Sequence, residues 1–268
     1  MIMYLITHSS RAHFDDVLSI SLLLVKFPGA TVIRTNNIDI LEDEIIENAI
    51  VVDIGNKYDG SRYFDHHQDI NINSSFVLVL KHFFDIDLTK LYPIFRNYEF
   101  YDLKDRYGPE KAMKLMNIEC SDITFYLSPI EDFIIVEFSK RDKIDYNDWL
   151  YDVLVKLGQY FINNISKRFE EIEDFKRTVK VQRIGKFNCA ISLNKGYPLI
   201  YYIKLLKDID IIIQQNDRDR NNLSLISLNV DKVNFLKLKD KEHIFIHPSG
   251  FLIVIEKSKD YREYINAL

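Results

Sequence analysis

Ile2-Met3-Tyr4-Leu5-Ile6-Thr7-His8 is an unbroken apolar run that ends on a hydroxyl and an imidazole. A strand buried on both faces reads this way, because neither of its sides alternates with water. Val17, Leu18, Ile20, Ser21, Leu22 and Leu24 then recur at helical spacing until Pro28-Gly29 stops them. Ala30 to Arg34 reads as a second strand, residues 38–48 as a helix, and Ala49-Ile50-Val51-Val52-Asp53 as a third strand. This β-α-β-α-β alternation predicts an α/β fold with a parallel sheet and right-handed crossovers. His8 and Asp53 each close a predicted strand, and open α/β sheets bind ligands at that carboxyl edge.

The histidines point to the same edge. Five of the 7 (His8, His13, His66, His67 and His82) fall in the first 82 residues, and most sit beside short acids, as in His8-x4-His13-x-Asp15 and Asp65-His66-His67. Imidazole and carboxylate together suit borderline-hard divalent ions such as Mn²⁺. Each piece also has an ordinary explanation. Ser or Asp residues ahead of Val17 serve as helix N-caps, and an acid ending a strand before Gly55 serves as a turn former. Caps do not account for two histidines in one turn, and an adjacent histidine pair behind an acid has no routine packing role. The three segments together predict a metal-dependent hydrolase.

Composition is that of a globular protein: of the 268 residues, 47% are apolar and 28% charged, which excludes wholesale disorder. Forty acidic against 35 basic side chains give a formal net charge of −5, which argues against a nucleic-acid coating protein but not against an enzyme that acts on nucleic acid. Cys120 and Cys189 form no metal-ligand spacing and read as reduced, buried thiols of a cytoplasmic protein. The apolar N-terminus is too short for a signal segment or a membrane span.

Beyond Ser74 the pattern turns helical over Phe76–Phe84, Leu88–Tyr101 and, after Gly108-Pro109, to Met116; a strand is expected at Phe133–Phe138. Asp148 to about Phe175 is a long amphipathic helix with Leu150, Val153, Leu154, Leu157 and Phe161 on one face. The last third alternates strands (Asn188–Ser192, Ile209–Gln214, Leu223–Leu228, Ile244–His247, Phe251–Ile255) with helices near 197–207 and 258–267. Two domains are expected: residues 1–145 holding the metal site, and residues 146–268, including the linking helix, binding substrate.

Thr7-His8 through Asp15-Asp16, Val52-Asp53-Ile54-Gly55-x-x-Tyr58-Asp59 and Tyr63-Phe64-Asp65-His66-His67-Gln68 resemble the signature of the Myg family of the DHH phosphoesterase superfamily. The resemblance extends through Ser74-Ser75, His82 and Asp102-x-x-Asp105 to His243-Ile-Phe-Ile-His247-Pro-Ser-Gly-Phe251, and it is densest over residues 4–82. Ser10 and Asn56 stand where the family usually has Gly, and Asp105-Arg106-Tyr107 stands for its Asp-Asn-Gly.

The resemblance implies an N-terminal parallel-sheet DHH-type domain, a smaller C-terminal α/β lobe with a cleft between them, and two Mn²⁺ ions, with Mg²⁺ or Co²⁺ as substitutes. Carried over by position, His8, His13 and Asp53 hold one ion. Asp15, Asp53, His66 and either Asp102 or Asp105 hold the other. His67 would face the phosphate or the leaving group, Asp65 would orient a neighbouring imidazole, and Asp16 would do the same or only cap the following helix. In the second lobe, His247, Ser249 and Gly250 are candidates for binding a terminal nucleotide, and Arg218 and Arg220 for contacting phosphates. A charged hairpin turn is the ordinary reading of the two arginines. The implied activity is 3′–5′ exonucleolytic trimming of single-stranded RNA, with DNA as a further substrate. The competing readings are hydrolysis of a small substrate (short oligonucleotide, cyclic dinucleotide or pyrophosphate) and a metal-stabilised regulatory protein without catalysis.

Overall fold

Tyr4–Thr7 forms strand β1, whose last three residues are fully enclosed, as an uninterrupted apolar strand must be. The chain crosses through helix α1 (Phe14–Lys26) to β2 (Thr31–Arg34), then through a 3₁₀ turn (Ile38–Ile40) and the short helix α2 (Asp43–Glu47) to β3 (Ala49–Val52). Both β2 and β3 pair with β1 in parallel. The α/β class and the parallel sheet expected from the sequence are therefore present. A two-residue strand, β4 (Tyr63–Phe64), extends the sheet in parallel beside β3, and β5 (Lys143–Ile144) closes the other edge antiparallel to β2, giving the order β4-β3-β1-β2-β5.

The computed structural model describes residues 3–118, 129–193 and 202–268. It divides into two compact units, Met1–Lys167 and Arg168–Leu268.

In the first unit, helix α1 is enclosed on all sides from Asp15 to Leu24, and it packs against α3 (Ser75–Phe84), α4 (Arg96–Tyr107) and α6 (Pro129–Ser139). A short helix, α5 (Pro109–Met116), follows α4, and the long α7 (Trp149–Thr178) follows β5. The helical stretch expected over Leu88–Tyr101 is broken at Pro93 into a 3₁₀ turn, Leu88–Leu91, and α4. The strand expected at Phe133–Phe138 is instead part of α6. Ile134, Ile135 and Phe138 are buried while Phe133 and Val136 are exposed, a helical period hidden inside a short run that is apolar but for Glu137.

The second unit holds a six-stranded sheet ordered β10-β11-β9-β8-β7-β6. Its strands are β6 (Lys180–Ile184), β7 (Phe187–Ser192), β8 (Ile211–Gln215), β9 (Asn222–Ser227), β10 (Phe245–Ile246) and β11 (Leu252–Glu256). Only the β7–β8 pairing is parallel. One face buries Phe187, Ile211, Ile213, Leu225 and Ile253 against Tyr264 and Ile265 of the last helix, Tyr261–Asn266. Cys189 is enclosed in this core, whereas Cys120 and the start of the helix expected near 197–207 lie outside the described residues. Among the described residues no helix is long and apolar enough to cross a membrane.

Candidate metal centre

Strands β1, β3 and β4 are neighbours and run in one direction, so the residues that follow each of them leave the sheet at the same rim. His8 follows β1, Asp53 follows β3, and Asp65-His66-His67 follows β4. Asp53 turns the chain off its strand with φ +56, the left-handed region that Asp and Asn tolerate better than most side chains. The loop carrying His8 is anchored at several points. Arg34, itself buried, donates from Nη2 to the Ser10 carbonyl at 2.5 Å and from Nη1 to the Phe138 carbonyl at 3.0 Å. The Ala12 N–H donates to Ser139 Oγ at 2.9 Å.

Among the described residues, two groups of potential ligands share Asp53. The first is His8, His13, Asp16 and Asp53, and the second is Asp53, Asp65, His66 and His67. His8 Nε2 lies 2.8 Å from Asp16 Oδ1 and 3.4 Å from Asp53 Oδ2. His66 Nδ1 lies 3.4 Å from Asp53 Oδ1, and His67 Nδ1 lies 3.7 Å from the same oxygen. The rings of His66 and His67 stack with centroids 4.5 Å apart. Asp16 joins the first group and also caps α1, accepting the His13 N–H at 2.7 Å and the Thr7 hydroxyl at 2.9 Å. Asp65 accepts the Asn56 N–H at 2.6 Å on Oδ2, and its Oδ1 lies 2.6 Å from His67 Nδ1.

Of the remaining acids, Asp15 lies beside the second group, its Oδ2 3.7 Å from His66 Nδ1, and it also has partners outside that group. Asp15 accepts the backbone N–H groups of Ser75 and Phe76 at the start of α3. Asp102 accepts the Ser74 N–H at 2.8 Å on one oxygen, and on the other the Asn73 amide at 3.0 Å and Arg106 Nη1 at 3.1 Å. Asp105 instead lines a cavity of about 220 Å³ together with His13, Asp53, His66, His67, Lys104 and Pro109. Of the two aspartates left open by the sequence, Asp105 faces the ligand groups' cavity and Asp102 is held by α3 and Arg106.

The electrostatics are those of a site built around positive charge. Burial, then the nearby Asp15 and Asp16 carboxylates, push Asp53 well above the usual carboxylate range. Asp105 is pushed the same way, again first by burial and then by Asp15 and Asp16. Burial alone would raise Asp16 too, but its contacts with His8 hold it below the ordinary value. Burial lowers His66 to about 4, which leaves the neutral imidazole a metal needs. The hydrogen bond to Asp65 raises His67 above its ordinary value. His66 Nε2 is buried with no hydrogen-bond partner among the described residues, a costly state for a polar atom unless a bound group completes it. An oxygen and imidazole donor set with an orphaned ring nitrogen fits divalent ions.

The candidate substrate-binding residues lie in the second unit. His247 Nδ1 lies 2.9 Å from Ser249 Oγ, the His247 carbonyl accepts the Gly250 N–H at 2.8 Å, and Gly250 has φ +77. A Cβ at Gly250 would sit 2.0 Å from Asn234 Oδ1, so the turn requires glycine. Arg218 and Arg220 are exposed in the β8–β9 turn, where Asn216 Oδ1 accepts the Arg218 and Asp219 N–H groups, as in an ordinary hairpin connection. Sequence reasoning gave Arg34 no role at the site and named Ser75 only within the family resemblance; Ser75 Oγ lies 3.4 Å from His66 Nδ1 and 3.5 Å from Asp53 Oδ1. The only signal for Arg34 is a charged side chain closing an otherwise apolar strand.

Residues 4–88 match the family model MYG1_exonuc, described as "Uncharacterised protein family (UPF0160)". Two fungal relatives are similar over 64 residues: the MYG1 protein of Schizosaccharomyces pombe is 42% identical and that of Saccharomyces cerevisiae 39%. In each case the match covers 23% of this chain and 18% of the relative, so less than a fifth of the relatives' length is represented.

Proposed function

We propose, from the match of residues 4–88 to the MYG1_exonuc family model and to MYG1 relatives, that the chain is a divalent-metal-dependent phosphodiesterase. In its finer form it is a Mn²⁺-dependent 3′–5′ exonuclease on single-stranded RNA, with DNA ends as a further substrate and nucleoside 5′-monophosphates as products. One observation carries this reading: Asp53, a single buried carboxylate, is common to two ligand groups and lies beside His66, whose Nε2 has no hydrogen-bond partner among the described residues. His8, His13, Asp16 and Asp53 would hold one ion; Asp53, His66 and Asp105 are the candidates for the other.

When bound, a pair of divalent ions supplies charge neutralisation to an anionic diester and acidifies water. The chain's own groups do the rest. Asp65 engages His67 Nδ1, which leaves Nε2 as the atom able to hold a proton toward a leaving oxygen. The hydrogen bond to Asp65 raises the basicity of His67, which favours the protonated ring. Ser10 Oγ lies 2.6 Å from His8 Nδ1 and so directs the ring with Nε2 toward Asp16 and Asp53, as a partner behind a liganding imidazole does.

The test is degradation of a 5′-labelled single-stranded RNA with Mn²⁺ present. Wild type should shorten it stepwise from the 3′ end, and Asp53→Asn and His66→Asn should each reduce the rate by at least about 100-fold with the fold intact. Unchanged rates in both variants would refute the assignment. The cavity of about 220 Å³ and the net charge of −5 favour a second reading, in which the substrate is a short oligonucleotide, a cyclic dinucleotide or pyrophosphate. Relative rates on a long RNA, a dinucleotide and pyrophosphate separate the two.

A further inference from the structure

The cavity beside the two ligand groups has one cationic aliphatic side chain in its wall, Lys104 of α4. The other basic residues of that helix are occupied. Arg96 pairs with Glu99 at 2.6 Å. Arg106 is spent on Asp102, the Ile70 carbonyl and the Tyr107 hydroxyl. Lys104 forms no ion pair with any carboxylate among the described residues, although acids crowd this region. A lysine serving only to neutralise Asp53 or Asp105 would sit against one of them. This one shares the cavity with His13, His66, His67 and Asp105 while its ammonium stays uncommitted.

An ammonium on a flexible stem, half-buried and facing a small polar cavity, is suited to a phosphate oxygen. We propose that Lys104 is a substrate-binding residue that takes a non-bridging oxygen of the phosphate group at this centre. The assignment rests on the phosphodiesterase reading and deepens it: the occupant of the cavity is a phosphate, and its recognition is split between the ion-binding groups and a cation fixed on α4. Adjacent positions on one helix then have opposite duties, Asp105 toward the cations and Lys104 toward the anion.

The experiment is calorimetric titration of adenosine 5′-monophosphate into the Mn²⁺-loaded full chain, for wild type, Lys104→Met and Lys104→Arg, with adenosine as the phosphate-free control and Mn²⁺ titrated separately into each protein. Lys104→Met should weaken the nucleotide by about 10- to 100-fold, and Lys104→Arg by no more than about threefold, because guanidinium keeps the charge. Mn²⁺ affinity should stay level or tighten, since the lost charge opposed the cations, and adenosine binding should not change. Equal nucleotide affinity in Lys104→Met and wild type would overturn the assignment. So would weakened Mn²⁺ binding, which would mark a structural role, or a loaded wild type that binds no nucleotide. The two readings fail separately. A wild type that binds the nucleotide through Lys104 yet hydrolyses no diester sinks the hydrolase. Hydrolysis unaffected in rate and KM by Lys104→Met sinks only the lysine's role.

Discussion

Asp15 Oδ1 accepts the backbone N–H of Phe76 at 2.6 Å across 61 residues of sequence, and its Oδ2 accepts that of Ser75 at 2.9 Å. A carboxylate from the first turn of α1 thereby satisfies two of the free donors at the N-terminus of α3, where the helix dipole also favours negative charge. Burial, opposed by these bonds, raises Asp15 to about 7. Asp15→Ala should therefore destabilise the metal-free protein by about 2–4 kcal/mol, through two unpaired buried donors. Urea unfolding in a chelator measures this. A loss below about 1 kcal/mol would mean that α3 does not depend on the carboxylate.

Asp53 should behave in the opposite way. Its carboxyl is held well above the ordinary range by burial and by two neighbouring aspartates, so the metal-free fold stores electrostatic strain there. Asp53→Asn removes the like charge, and asparagine accepts φ +56, which alanine would not. The variant should be as stable as wild type without metal, or about 0.5–1.5 kcal/mol more stable, while losing the Mn²⁺-induced rise in Tm. Destabilisation in chelator, or an intact Mn²⁺ response, would contradict the shared-ligand reading of Asp53.

His66 sets a pH dependence whose sign can be worked out. Its folded-state pKa, about 4, lies below the ordinary 6.5, so between these values the unfolded chain binds more protons. The contribution is fully present above about pH 6.5 and is lost as pH falls toward 4. Asp15 acts with the opposite sign: it is raised to about 7 from an ordinary 3.8, and its contribution is lost as pH rises through that window. The wild-type profile alone therefore mixes the two. The difference between His66→Gln and wild type isolates the histidine, and in chelator the variant should gain on the order of 1–3 kcal/mol relative to wild type between pH 7 and pH 4. A flat difference would mean that His66 is not buried as a neutral ring.

The parts that were legible in advance are those with a period or a boundary. β1, α1, β2 and β3 announce themselves by apolar runs closed by Pro28-Gly29 or by polar ends, and the topology then sends His8 and Asp53 to one rim. β4 escaped because two residues, Tyr63 and Phe64, carry no periodicity, yet this pairing brings His66 beside Asp53. α6 was misread because four apolar residues in a row, Phe133 to Val136, followed by Glu137 and Phe138, suit a strand and a helix alike. The duties of the acids were not separable from spacing. Asp15 and Asp102 accept backbone amides, Asp53 joins both ligand groups, and Asp16 does both, since an aspartate offers the same atoms for either purpose.

Gly158 gives a test of how the scaffold behind the site is packed. A Cβ built on it would lie 2.2 Å from the backbone oxygen of Ser21 and 3.0 Å from a methyl of Val25, so α7 passes α1 at a distance only glycine allows. Ser21 itself returns its hydroxyl to the Val17 carbonyl at 2.7 Å. Backbone rather than a flexible side chain is in the way, so relief requires the two helices to part. Alanine has the better intrinsic helix propensity by about 1 kcal/mol, and in an exposed helix Gly→Ala would stabilise. Here Gly158→Ala should instead destabilise by about 1–3 kcal/mol. Because α1 begins at the acids of the metal centre, the shift should also weaken Mn²⁺ binding. Thermal unfolding with and without Mn²⁺ checks both effects, and a stabilised Gly158→Ala variant would show that α1 and α7 are not in backbone contact.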